Sequence, residues 1–140
     1  DSVSLNFKTT SYKIDARSEE TMLSLMNLER AKRDLSSLAA DELLREAARS
    51  HAKDMLERGY FSHYTTAGLS PFDRLAQARI NYTYAGENLA FAPDVEIAFA
   101  GLMKSPGHQE NILSGNFRKA GVGVLDAGIF GKMFVQEFTD

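Results

Sequence analysis

The sequence predicts an α+β fold in which a small antiparallel sheet lies between helices covering both of its faces. Helical spacing of apolar residues dominates the first part of the chain, whereas alternating apolar residues gather at its end. Helices first and strands last fits α+β better than a run of alternating β–α units. The 140 residues, 44% of them apolar, suffice for one domain with a real core and no cross-links.

Each element has its own local signal. Residues 1–16 are an N-terminal arm or an extra strand. Val3, Leu5 and Phe7 alternate, as do Tyr12 and Ile14 beyond Thr9-Thr10-Ser11, which suits a short strand pair or an ordered lead-in. The main domain spans 17–140. Ser18 is read as the cap of a helix over 18–34, with Glu19 and Glu20 in its first turn. Met22, Leu25, Met26 and Leu28 give that helix an apolar side, and Glu29, Arg30, Lys32 and Arg33 are placed towards water. After a short connection at Leu35–Leu38, a second helix runs over 40–58, with Leu44, Ala47, Ala48, His51, Ala52 and Met55 on one face. Gly59 stops it in the left-handed conformation.

Ser70-Pro71-Phe72-Asp73 starts a third helix: serine caps, proline takes the first helical position and Asp73 completes a capping-box pattern. Tyr82 to Ala92 reads as extended, with Gly86-Glu87-Asn88 interrupting its aromatic and apolar run. A fourth helix covers 94–103. Ser105-Pro106 repeats the serine–proline start for a short helix towards Leu113. Val122 and Val124, then Phe134, Gln136 and Phe138, alternate on either side of Gly128 and Gly131, the pattern of an antiparallel hairpin.

Composition excludes several classes of function. The chain has no cysteine, hence no disulfide framework and no thiol nucleophile. Its net charge of −3 comes from interspersed acids and bases, which is no nucleic-acid footprint. No apolar run approaches the ~20 residues of a membrane-spanning helix. The chain begins with Asp1 rather than Met and is read as a mature or excised piece, a reading that leaves room for a lost signal peptide or anchor.

Chemistry concentrates in three segments: Tyr60-Phe61-Ser62-His63, Gly86-Glu87-Asn88-Leu89-Ala90 and Ser105-Pro106-Gly107-His108. Imidazoles and carboxylates bind metals and move protons. His63 falls in a polar loop beyond a helix end. His108 falls in the first turn of a helix, where free backbone donors favour the neutral, metal-binding imidazole. Glu87 lies in an apolar stretch, where a carboxylate needs partners. Gly86 permits an unusual backbone or a close approach, and Asn88 can bond locally and fix a bend. Taken singly, each histidine also fits an ordinary surface position, and Glu87 an exposed turn. His51, on the apolar stripe of the second helix, is read as a satisfied core histidine. Glu110 is read as solvated, and Asn111, three residues past His108, as support for its face. No histidine pair at a four-residue step, CxxC, phosphate loop or nucleophile elbow is present.

Taken in order, these segments resemble the CAP superfamily (cysteine-rich secretory proteins, antigen 5 and pathogenesis-related class-1 proteins; SCP domains) in its bacterial branch. The likeness runs from about Met22 to Phe138. It includes Asn27-Leu28-Glu29-Arg30, Ala48 to Met55, Ser70-Pro71-Phe72-Asp73-Arg74, Asn111-Ile112-Leu113, Asn116-Phe117, Gly121-Val122-Gly123-Val124 and Gln136-Glu137-Phe138. The resemblance implies a three-layer α-β-α sandwich and a central cleft in which His63 and His108 match two histidines and Glu87 the glutamate of a Gly-Glu-Asn box. Ser105 stands where many relatives carry a second cleft glutamate. The resemblance also implies an extracellular or cell-envelope location.

The function expected is an extracytoplasmic domain that holds Zn2+ or another divalent cation through His63, His108 and Glu87 and binds a small molecule, lipid or protein partner. One alternative is a metal-assisted, protease-like hydrolase with Glu87 as the candidate catalytic base. The other is a purely structural or interaction module. No nucleic-acid partner is expected.

Overall fold

Among the described residues the elements follow in the order β1 (Val3–Ser4), β2 (Lys13–Ile14), α1 (Ala16–Ala31), β3 (Ala39–Ala40), α2 (Glu42–Arg58), β4 (Tyr60–Phe61), α3 (Pro71–Gln77), β5 (Ala85–Ala92), α4 (Val95–Lys104), α5 (Pro106–Ile112), β6 (Lys119–Asp126) and β7 (Lys132–Thr139). The computed structural model describes residues 2–140; Asp1, the first residue of the expected arm, lies outside the described residues. The main sheet has the order β2-β6-β7-β5, with β3 running parallel beside β6. β6, β7 and β5 form an antiparallel set, so the hairpin expected around Gly128 and Gly131 is the centre of the fold.

The central strands are apolar on both faces, and successive side chains go to opposite layers. On one face Val122, Val124, Phe134 and Phe138 pack with Met22 and Met26 of α1, Phe99 and Leu102 of α4, and Ile112 of α5. On the other, Leu89, Leu125, Met133 and Val135 pack with Ala48, Ala52, Met55 and Leu56 of α2. These two cores make the α-β-α sandwich.

α2 approaches the sheet unusually closely because β6 presents glycine to it. A Cβ built on Gly121 would overlap the backbone of Leu44 and Arg45, and one on Gly123 that of Ala48 and Arg49. Backbone on both sides leaves little freedom to give way.

Local stop and start signals are met with small shifts. Asp15, not Ser18, caps α1, accepting from the Ser18 backbone N–H at 3.0 Å and the Ser18 hydroxyl at 2.8 Å. Asp41 caps α2 and Asp94 caps α4. Gly59 ends α2 at φ +73°, as its position predicts. Ser105 precedes α5 without a side-chain cap bond, unlike the serine-cap reading.

Two assignments on α1 are corrected. Arg30, expected on the water face, is fully buried: its guanidinium donates to the carbonyls of Ser36, Ile112, Ser114 and Phe117. It gathers carbonyls from two loops that have no ladder partner, so the solvent face of the helix is interrupted by a structural cation. Leu28, expected on the apolar side, is exposed. Glu19 is buried as well; it takes a two-bond fork from Arg49 and accepts from the Val124 N–H, joining α1 to α2 and β6. In the arm, β1 and β2 do not pair with each other. β1 pairs with β4 and β2 with β6.

The glycine contact yields a prediction. Gly121→Ala forces α2 off the sheet and is expected to cost about 1–3 kcal/mol, as overpacking does. Urea unfolding checks it, with Gly101→Ala, which meets open space inside α4, as the control that loses no stability and gains up to about 1 kcal/mol.

Candidate functional site

Among the described residues β5 pairs only with β7 and is therefore an edge of the sheet. Its register sets Glu87 opposite Glu137 and Asn88 opposite Gln136. Alternation then sends the two carboxyls to one face and the two amides to the other.

On the first face the carboxyls meet Arg74. The capping box of α3 is complete: Ser70 Oγ accepts from the Asp73 N–H at 3.1 Å, and Asp73 Oδ2 from the Ser70 N–H at 2.9 Å. It places Arg74 one residue further on, aimed at the sheet edge. The guanidinium donates to both Glu87 oxygens, at 2.8 and 2.9 Å, to Glu137 at 3.3 Å and to the His63 carbonyl at 2.7 Å. His63 lies two residues beyond β4. Its neighbour Ser62 is buried and accepts from His51 Nε2 at 2.7 Å, so the loop is held on both sides of the histidine.

His63 Nδ1 stands 2.8 Å from Glu87 Oε1. A carboxylate there can only accept, so Nδ1 carries the proton and the lone pair of the neutral ring lies on Nε2. The His63 side chain is 42% exposed, against 1% for Glu87 and 0% for Glu137. The imidazole is thus a surface group standing on a buried charged base.

The buried pair is divided in protonation. Burial pushes the Glu87 carboxyl up, but bonds from Glu137, His63 and Arg74, together with the arginine's charge, outweigh it and hold the group down at about 2. Burial, then the bond to Glu87 and its charge, push Glu137 well above the usual range, and Arg74 only partly opposes them. One arginine accordingly faces one carboxylate and one carboxylic acid.

On the opposite face, Asn88 Nδ2 donates to Gln136 Oε1 at 2.9 Å and to the His108 carbonyl at 3.0 Å. Asn111 donates to Asn88 Oδ1 at 2.9 Å and to the Glu87 carbonyl at 3.3 Å. A Cβ on Gly86 would stand 3.0 Å from Asn111 Oδ1 and from Phe117 Cζ, so this glycine allows α5 to reach the strand. His108 is half-buried; burial, then the nearby His63, lower its pKa and favour the neutral ring.

His63, Glu87 and His108 are therefore brought to one end of the sheet, but not in equivalent roles. The expected three-ligand set is not assembled: among the described residues no three His, Asp or Glu side chains are arranged to hold an ion together. The physical reason is that the Glu87 oxygens are turned to Arg74 and His63. His51 is buried and bonded, as its place on the stripe predicts. Asn88 bonds across to α5 rather than fixing a bend, because β5 continues straight through it. Ser105 supplies no carboxyl, and Glu137 provides a second buried one from another strand. Reasoning on motifs missed Arg74 and Glu137 as site residues. The available signals were the capping box, which orients Arg74, and an acid between Gln136 and Phe138 in a strand of the alternating hairpin.

Comparison with known proteins agrees with this architecture. The model of the cysteine-rich secretory protein (CAP) family matches residues 23–138. The uncharacterized protein YkwD of Bacillus subtilis (strain 168) is 37% identical over 121 residues, 86% of this chain and 46% of the relative. An extracellular SCP-domain protein from Bacillus anthracis str. Ames superposes with a TM-score of 0.79 at 32% identity, over 89% of this chain and 41% of that one. An outer surface protein from Borrelia burgdorferi gives 0.85 at 21% identity, over 93% and 98%. The chain thus spans less than half the length of the curated relative. No described helix is long and apolar enough to cross a membrane.

The charge cluster generates two predictions. Arg74→Ala leaves a buried carboxylate unpaired and is expected to cost about 3–5 kcal/mol in denaturant unfolding. Glu137 has a folded pKa above its unfolded value, so its contribution is fully present below the unfolded pKa and is lost as pH rises towards the folded one. Glu137→Gln removes that titration. Its stability relative to wild type should climb above pH ~4.3, by up to ~1.4 kcal/mol per pH unit for one proton. Equal pH dependence in both proteins would show that Glu137 is ionised in the fold.

Proposed function

The chain belongs to the cysteine-rich secretory protein family, and from that premise we propose that it is an extracytoplasmic binding domain whose His63 and His108 imidazoles hold a divalent cation at the end of the sheet. The observation that carries this reading is the bond from His63 Nδ1 to Glu87. A metal-binding histidine commonly gives its other ring proton to a carboxylate, which fixes the tautomer and aims the free nitrogen. Glu87 is then a positioning residue, and Arg74 and Glu137 hold it in place.

The donor set fits a weakly held ion. Two neutral imidazoles suit zinc, and water or an incoming ligand would fill its remaining positions. The ion would supply a Lewis acid on which a small molecule or partner group can bind. After burial, the charge of nearby His63 also lowers the His108 pKa, which supports their standing near each other. Glu87 is a poor general base, since its oxygens are taken by Arg74 and His63 and its carboxyl is held at about 2. A binding role therefore stands ahead of a hydrolytic one. Relatives described as extracellular and outer-surface proteins support an extracytoplasmic place for this domain.

Calorimetric titration of metal-free protein with zinc chloride tests the reading. Wild type should bind one ion, the His63→Ala, His108→Ala double variant none, and Glu87→Gln about 10–100-fold more weakly, as expected for loss of an orienting carboxylate. Failure of wild type to bind, or equal binding by the double variant, would refute it.

A further inference from the structure

A groove of about 750 Å³ runs between α2 on one side and the Thr65–Leu69 turn with α3 on the other. Its volume falls within the ~300–1,000 Å³ of small-molecule sites. Neither His63, Glu87 nor His108 lines it. Leu43, Ala47, Ser50 and Asp54 supply its α2 wall, one stripe at three- and four-residue steps.

Two of the groove's residues carry buried polar atoms without a protein partner among the described residues. One is His51 Nδ1 and the other is Arg74 Nε. His51 is 1% exposed, and its Nε2 stands 2.7 Å from the Ser62 carbonyl. That carbonyl only accepts, so Nε2 bears the proton and Nδ1 is left as an acceptor. Arg74 Nε is always a donor. An orphan acceptor and an orphan donor in one groove are costly, and a group able to accept and donate at once relieves both. A hydroxyl does so with a single atom.

The charges around the groove favour no ionic ligand. Glu46, Asp54 and Glu57 stand against Lys53, Arg58 and Arg74. Apolar surface from Leu43, Ala47 and Leu69 alternates with the hydroxyls of Ser50 and Thr65, a mixture suited to the C–H and O–H faces of a sugar. Both orphan nitrogens are shielded from solvent, so a ligand reaches them only if a wall gives. The turn can do so as a unit: its bonds from Thr65 N–H to Leu69 O, Gly68 N–H to Thr65 O and Leu69 N–H to Thr65 Oγ1 are all internal.

We infer that this groove is a second ligand site, adjoining the His63–His108 end of the sheet through Arg74 but not lined by either of those histidines, that binds a neutral polyhydroxylated compound of mono- to disaccharide size with one hydroxyl seated between His51 Nδ1 and Arg74 Nε.

The test is a titration of 15N-labelled protein with chitobiose, maltose and xylitol, followed by amide shifts. At least one probe should move the amides of 46–58 and 65–69 saturably below about 50 mM, a weak-site range. Ala47→Trp fills the groove from a half-buried position outside both cores and should weaken binding at least ~tenfold. His51→Phe should do likewise, and where that variant does not fold the Ala47→Trp result decides. The His63→Ala, His108→Ala double variant should bind the probe unchanged, which separates this site from the proposed cation site. Absence of saturable shifts with all three probes, equal binding by Ala47→Trp, or shifts centred on residues 63 and 108 would overturn the inference.

Discussion

The structure around the candidate site depends on a single buried guanidinium. Arg74 lies among two carboxyl groups and a backbone carbonyl, at 2.7 to 3.3 Å, in a place nearly closed to water. A lone carboxylate at Glu87 would be too costly there, and two ionised carboxylates opposite each other costlier still. With one cation and one retained proton the cluster carries no net charge. That neutrality lets β5 and β7 bring two acids into direct register without splitting the sheet edge.

From this base, order spreads to residues that touch neither acid. Arg74 holds the backbone of His63 and Glu87 holds its ring, so the loop after β4 has one shape. His51 pins the preceding residue to α2. Across the strand, Asn88 and Asn111 tie α5 to the same edge, which brings His108 within electrostatic reach of His63. Two layers that share no helix are thereby coordinated through alternate residues of one strand. Arg30 does comparable work far from the site, gathering carbonyls from two loops.

Much of this was legible in the chain itself. Apolar spacing located the helices, alternation located the hairpin, and Ser70-Pro71-Phe72-Asp73 announced a capping box that the structure reproduces bond for bond. His63, Glu87 and His108 were recognisable as chemistry-bearing residues, and the fold does bring them to one end of the sheet. Their division of labour was not legible, because it depends on what lies opposite in space. Nothing local to Glu87 says that Glu137 will face it, since register between strands 50 residues apart is a tertiary outcome. Arg30 was misread for the same reason: it sits among charged neighbours, and only the folded loops supply carbonyls that can hold it. The arm strands escaped a local reading too, as their partners are β4 and β6 rather than each other.

The neighbouring positions of Glu87 and Asn88 have one more consequence. Slipping β5 by a single residue against β7 would exchange acid and amide, pressing a carboxylate onto α5 and offering Arg74 a neutral group. Misalignment would thus strand a cation and an anion in separate layers, a far heavier penalty than misplaced aliphatic side chains would exact. The edge strand checks its own alignment during folding, and the polar residues that make the site are also what rejects the wrong fit.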